Sequence, residues 1–345
     1  MSYKVLIVDN ELANARMLER SLRQTYFCLI AASCSEALRL IAQHDVAVII
    51  AGQQLSGISG MELLRRTADY EPDAVRILLS EDPNLKLLVE AINSGVVDLY
   101  LQKPWDNEDL RLRIDQAVQR YFNNKRQHSL VVANECLLSR LREMKLGSVR
   151  AMAKVLKVKN EYLFEHGSRV SGLAAIMGRS FGLAEDLLSD LEAAALLHEL
   201  GAVEGQDSVM PGADCDHAVL QRRSERAAQI LSCIPELRDV ADIIRYQNES
   251  YDGCGWPLGL VGDQIPLTSR ILSVANVYDL LIHPVDPADA LSHRAAIEKL
   301  QDGAYREFDP QVVQALSDLD PAEQSVLQDL NATPGRVQLV TLAIN

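Results

Sequence analysis

Apolar positions follow two rhythms along this chain. Over the first 120 residues, short apolar runs at 5–8, 46–50, 75–79 and 97–101 alternate with stretches whose apolar positions recur every three or four residues, at 12–24, 35–44, 60–68 and 86–94. The runs predict buried strands and the periodic stretches predict helices; a further short strand is expected at 28–32. Strands spaced by helices in this way predict a doubly wound parallel sheet. In such sheets chemistry gathers at the carboxyl ends of the strands, and those ends carry Asp9, Asn10, Gly52, Ser80 and Lys103.

From about residue 107 to 147 the pattern turns helical and highly charged. Leu110, Ile114, Val118 and Tyr121 keep helical spacing, as do Leu137, Leu141 and Met144, and the polar stretch NNKRQH at 123–128 predicts a break or bend between them. Two readings stay open for 107–147: a connector that pairs with a second copy in a homodimer, or an amphipathic helix packed on its own domain. Beyond 148 the pattern is helical nearly throughout, at 149–157, 168–181, 187–200, 218–231, 237–247, 269–281, 288–303 and 310–319. Gly-rich interruptions fall at 201–214 and 251–266, and 336–344 reads as an edge strand or a tail.

The chain has 345 residues, enough for two ordinary domains, and a hydrophobic fraction of 48% that suits aliphatic cores. A formal net charge of −14 argues against a broad nucleic-acid-binding face. The six cysteines are scattered without a C-x-x-C pair, which favours free thiols in a reducing compartment. No apolar run approaches a membrane span, so a cytoplasmic chain with no membrane partner is expected.

Four segments in the first 120 residues, VLIVDNE, LSGISGMELL, ILLSE and YLQKPW, resemble a response-regulator receiver domain in order and spacing. The resemblance implies a flavodoxin-like (βα)5 fold and a phosphoryl-accepting site built on strand ends. Asp9 matches one metal-binding acid, Ser80 the hydroxyl, Lys103 the lysine and Tyr100 the aromatic of the switch. The second acid is Asn10, and the phospho-acceptor position falls on Gly52, which has no side chain. Phosphoryl transfer to a receiver needs a carboxylate nucleophile placed to within about an ångström. Aspartyl phosphorylation is therefore not expected.

Four segments in the remainder, EHGSRV, AALLHELG, YDGCGWPLGL and IPLTSRILSVANVYDLL, resemble an HD-GYP domain, the family of metal-dependent phosphodiesterases that hydrolyse cyclic di-GMP. The resemblance places ligand positions at His166, His198, Glu199, Arg223, Gln247, Asn248 and Asn276, with Ala202 where the family has lysine and Tyr162 where some members have an upstream Glu. Amides are weak ligands for such metals. A fixed guanidinium about 4 Å from a dication repels it by roughly 8 kcal/mol at an effective dielectric near 20. A two- or three-metal cluster is not expected, and an ion pair between Glu199 and Arg223 is. An ion on His166, His198 and Glu199 alone is the alternative. Asp214, Cys215, Asp216 and His217 read as a solvated loop. Arg222, Arg223 and Arg226 read as intrahelical partners of Glu225 or as a phosphate grip.

The resulting fold class is α/β plus all-α: a receiver-like domain at 1–122, a helical connector at 123–147, an all-α HD-type domain at 148–322 and a tail at 323–345. The expectation for function is a non-catalytic regulator in a cyclic di-GMP network, with no metal and no cofactor. Its implied partner is a GGDEF diguanylate cyclase or a sensor kinase, met through the loop of Asp252, Gly253, Gly255, Trp256 and Pro257. A non-hydrolytic cyclic di-GMP sensor and an active phosphodiesterase with an atypical site are the alternatives.

Overall fold

Five short apolar strands form one all-parallel sheet in the order β2-β1-β3-β4-β5: β1 (Lys4–Val8), β2 (Phe27–Ala31), β3 (Val46–Gly52), β4 (Val75–Ser80) and β5 (Leu99–Gln102). Each strand after the first follows a crossover, as parallel pairing requires. Strand β3 is buried along its whole length, which is why its sequence is continuously apolar and not alternating. The computed structural model describes residues 4–81, 95–203 and 217–319. The chain divides into two units, Met1–Leu137 and Leu138–Asn345.

In the first unit α1 (Leu12–Leu22), α2 (Cys34–Gln43) and α3 (Gly60–Thr67) follow the first three strands. Ser33 and Ser59 cap α2 and α3 by accepting from the backbone N–H groups of Glu36 and Glu62. Two apolar layers lie against the sheet. One joins Val5, Ile7, Leu18 and Val48 to Leu110 and Ile114; the other joins Leu6, Ile49, Leu63 and Leu64. Alternate strand residues feed opposite layers, as the two-residue repeat of a strand demands.

The break expected at 123–128 is absent. Helix α4 runs without interruption over Asn107–Lys159. The polar stretch contains neither Pro nor Gly, and Asn costs a helix only a few tenths of a kcal/mol relative to Ala. Lys125 is also anchored, with Nζ 2.6 Å from Asp45 Oδ1 while Tyr121 donates to the same carboxylate at 2.8 Å. High polarity here marks exposure and not an ending.

The second unit is helical: the end of α4, then α5 (Glu161–Ser180), α6 (Glu185–Leu197), α7 (His217–Ser232), α8 (Arg238–Arg245), α9 (Leu267–Ile282), α10 (His293–Asp302) and α11 (Pro310–Ser317). One aliphatic core, including Val170, Leu173, Leu191, Leu196, Leu231, Ile244, Ile271 and Leu300, joins them. Helix α5 begins two turns earlier than the sequence predicts, because Asn160 caps it by accepting from the Leu163 N–H at 3.2 Å. The helix expected at 86–94, the polar loop at 214–216, the tail at 323–345 and its strand at 336–344 lie outside the described residues.

Ile114 is fully buried against the sheet. Ile114→Ala is expected to destabilise the first unit by about 2–5 kcal/mol, read as faster native-state hydrogen exchange at the β1 and β3 amides.

Candidate functional site

Two constellations stand at the places the sequence singles out, one in each unit. In the first, the carboxyl ends of β3 and β4 and the residue after β5 bring Gly52, Ser80 and Lys103 around a polar cavity of about 300 Å³, to which Asn10 also contributes, and Asp9 at the end of β1 reaches Lys103. Asp9 is buried; its Oδ1 accepts from the Glu11 N–H at 2.9 Å and its Oδ2 accepts from Lys103 Nζ at 3.2 Å. A Cβ on Gly52 would lie 3.2 Å from Asp9 Oδ2. The position is thus at the heart of the site, yet it supplies no atom that could attack phosphorus. Ser80 is buried beside it, Asn10 is exposed and Tyr100 is half-buried on β5.

The second constellation is buried inside the helical unit. Asp279, on α9, accepts from both arms of Arg169: Nε to Oδ1 at 2.8 Å and Nη2 to Oδ2 at 2.9 Å. Its Oδ2 also lies 2.7 Å from His166 Nδ1 and its Oδ1 lies 3.1 Å from His283 Nδ1. Burial by itself would raise the Asp279 pKa, but the hydrogen bonds from His166, His283 and Arg169 outweigh it and hold the carboxyl well below its usual range. A carboxylate can only accept, so His166 carries its proton on Nδ1 and turns Nε2 toward the centre. At His198, Nδ1 lies 2.7 Å from the Ala195 carbonyl oxygen, which likewise places a proton there and leaves Nε2 as the inward atom.

The two inward nitrogens are 3.2 Å apart, and Asn276 Oδ1 lies 3.0 Å from that of His166. Burial is the main cause that holds the His198 pKa below its ordinary value, opposed by the Glu199 charge. The lone pair of His198 Nε2 therefore faces His166 Nε2, a contact that calls for a donor hydrogen or a cation between the two nitrogens. Turned over, the Asn276 carboxamide would present its NH2 to the same atoms. Asn276 can thus serve an ion with its oxygen or satisfy the rings with its nitrogen.

Glu199 divides its carboxylate. Oε1 lies 3.8 Å from His198 Nε2, while Oε2 lies 3.6 Å from Arg223 Nη1. The close approach depends on Gly201, where a Cβ would sit 2.0 Å from the Arg223 carbonyl oxygen, so the segment after Glu199 touches α7 backbone to backbone. Among the described residues, ligand atoms of His166, His198 and Glu199 lie within 4.8 Å of one another, all buried, and form a group able to hold a metal ion. Gln247 and Asn248 do not join it; both donate to Ser224 Oγ at 2.8 Å. Arg222 is exposed and Arg226 half-buried on α7.

The loop after α8 has its own internal reasons. Glu249, buried, accepts from the Leu258 N–H at 2.7 Å and the Leu260 N–H at 3.1 Å. A Cβ on Gly255 would lie 1.9 Å from the Ser250 backbone nitrogen. Asp252 accepts from the Cys254 N–H at 2.9 Å, and Gly253 has a φ of 85°. Trp256 and Pro257 are half-buried, and Leu258 is exposed. The loop's glycines are therefore accounted for by its fold.

Residues 5–115 match the response regulator receiver domain family, and residues 150–312 match the HD domain family. The chain is a fusion of a response regulator receiver domain with an HD domain. A relative named cyclic di-GMP phosphodiesterase response regulator RpfG, from Xanthomonas campestris pv. campestris, is 26% identical over 92% of this chain and 87% of its own length. A cyclic di-GMP phosphodiesterase of Thermotoga maritima is 24% identical over 92% of this chain and 90% of its own. A probable cyclic di-GMP phosphodiesterase of Vibrio cholerae is 26% identical, covering 90% and 76%.

These findings correct one expectation. A receiver–HD fusion without catalysis does not stand against relatives matched over most of their length and named as phosphodiesterases, and a buried group able to hold an ion. Arg223 does not face the imidazoles as a bare charge. In the fold a carboxylate stands between that guanidinium and the imidazoles. Asp279 and Arg169, the residues that orient His166, are not among the ligand positions expected from the sequence. Their signal was present as pairs three apart, His166 with Arg169 and Asn276 with Asp279, each on one helix face. No helix among the described residues is long and apolar enough to cross a membrane.

Asp279 and His198 both bind a proton in the unfolded chain at pH values where the folded chain leaves them without it. Stability contributed by these groups is therefore full at high pH and falls as pH drops, below about 6.5 for His198 and below about 4 for Asp279. Asp279→Asn is expected to cost about 3–5 kcal/mol, since it strands a buried Arg169, and to flatten the decline below pH 4 in denaturant titrations. In the first unit, incubation with acetyl phosphate and Mg²⁺ is expected to leave the intact mass unchanged; a phosphoryl adduct mapped to residues 1–122 would contradict the reading of Gly52.

Proposed function

We propose that this chain is a metal-dependent phosphodiesterase that opens cyclic dinucleotides at a reduced, single-ion site. The observation that supports this most is the pair of facing imidazole nitrogens, His166 Nε2 and His198 Nε2 at 3.2 Å, with Glu199 Oε1 beside them. Two imidazoles and a carboxylate suit zinc, manganese or iron. The carboxylate–imidazole pairing of Asp279 with His166 is the support that metal-ligating histidines ordinarily have. Glu199 and Asp279 are balanced by Arg223 and Arg169. A dication therefore adds uncompensated charge, and the residues fit one weakly held ion better than a cluster.

Such an ion, when bound, supplies Lewis acidity toward a phosphoryl oxygen. The chain's own residues do the rest. Asp279 and the Ala195 carbonyl fix the two ring tautomers, and burial keeps His198 neutral so that its lone pair stays available. Arg223 lies 3.6 Å from one oxygen of Glu199, opposite in charge, and the other oxygen faces His198. Hydrolysis adds water across one P–O bond: the water oxygen bonds to phosphorus and the departing ribose oxygen takes a proton. The names of the relatives support cyclic di-GMP as the first substrate to test.

Full-length protein supplied with Mn²⁺ or Fe²⁺ is expected to convert cyclic di-GMP to the linear dinucleotide, followed by chromatography of the nucleotides. His198→Ala should abolish conversion, and Asn276→Asp should raise the metal content of the purified protein by adding a carboxylate to the cradle. Absence of product with every ion tried, or conversion that survives His198→Ala, would overturn the assignment.

A further inference from the structure

Helix α4 contains twenty consecutive exposed residues, 125–144. Seven large apolar side chains stand on this stretch: Leu130, Val131, Val132, Leu137, Leu138, Leu141 and Met144, at 44% to 61% exposure. Its anchors lie at the two ends. Lys125 pairs with Asp45 in the first unit, and Arg142 and Lys145 pair with Asp186 and Asp190 in the second. Helices in water draw most of their stability from an apolar face packed against something, and no described residue covers this one.

The spacing says what kind of partner fits. Leu130, Leu137 and Met144 are seven apart, and Asn134 and Leu141 fall four residues after the first two. The alternation of three- and four-residue steps is the seam of a two-stranded coiled coil, with Leu130, Leu137 and Met144 at one seam position and Asn134 and Leu141 at the other. Val131 and Leu138 flank the seam and widen it. Asn134 is the single polar side chain within it. A buried carboxamide is tolerated where it meets a hydrogen-bonding partner at its own level. A second copy running parallel and in register supplies one, its own Asn134. In an antiparallel copy the two seam positions face each other, which sets Asn134 against leucine or methionine.

We infer that the chain forms a homodimer through a parallel, in-register coiled coil over residues 130–144, with the Asn134 pair fixing the register. The seam spans about 21 Å. This assignment is independent of whether the HD site hydrolyses anything.

Light scattering on the full-length protein across micromolar concentrations should give the mass of two chains. Leu137→Glu combined with Leu141→Glu changes only exposed positions, so each chain should keep its thermal unfolding profile at low concentration while the dimer dissociation constant rises roughly a hundredfold or more. Asn134→Cys under mild oxidation should give an interchain disulfide beyond any formed by the unaltered protein, whose exposed Cys136 is the control. A single-chain mass at every concentration would overturn the inference. So would a dimer indifferent to the two charges, or one that fails to cross-link at 134.

Discussion

The helical unit depends on keeping one carboxylate charged inside an apolar core. Asp279 accepts four hydrogen bonds from three side chains, two of them on α5 and the third on the residue after α9. Burying a carboxylate costs several kcal/mol unless its lone pairs are filled, so the packing of α5 against α9 and the ionisation of Asp279 stand or fall together. The same carboxylate decides which nitrogen of His166 faces inward. A structural requirement of the core therefore sets the chemistry of the site.

Around that hub the charges come in compensated pairs, Asp279 with Arg169 and Glu199 with Arg223. An arginine where a metal-binding family has a ligand suggests, on a residue count, an ion excluded by repulsion. The fold interposes a carboxylate, and its two oxygens face opposite ways. The guanidinium is then a neighbour of the site's wall. What the pairing does limit is capacity: two neutral pairs leave little negative charge for more than one dication.

The receiver unit reaches local neutrality by a simpler route. With no side chain on Gly52, the Lys103 ammonium lies against Asp9, and the strand ends keep their geometry without a phosphorylatable group. The sheet does not need that group, because its stability resides in the two apolar layers and in strand pairing. The fold therefore accommodates glycine at the end of β3.

Much of the architecture was legible in the chain itself. Continuous apolar runs gave five strands, because a sheet covered on both faces has no polar side, and three-to-four spacing gave the helices. Helix ends agree to within a few residues except at α5, whose cap Asn160 is invisible until the chain turns there, and at α10, where Ser292 caps a helix that starts at His293 and not at 288. The polar 123–128 stretch misled, since sequence polarity cannot distinguish a helix that ends from one that runs through solvent. Residue types at Gly52 and at the HD positions were fixed by sequence alone, because a missing atom stays missing in any fold. Tertiary structure alone decided which survivors converge, that Glu199 stands between Arg223 and the imidazoles, and that Asp279 orients His166. Those are contacts between helices dozens of residues apart, and no local periodicity records the distance between two side chains that only packing brings together.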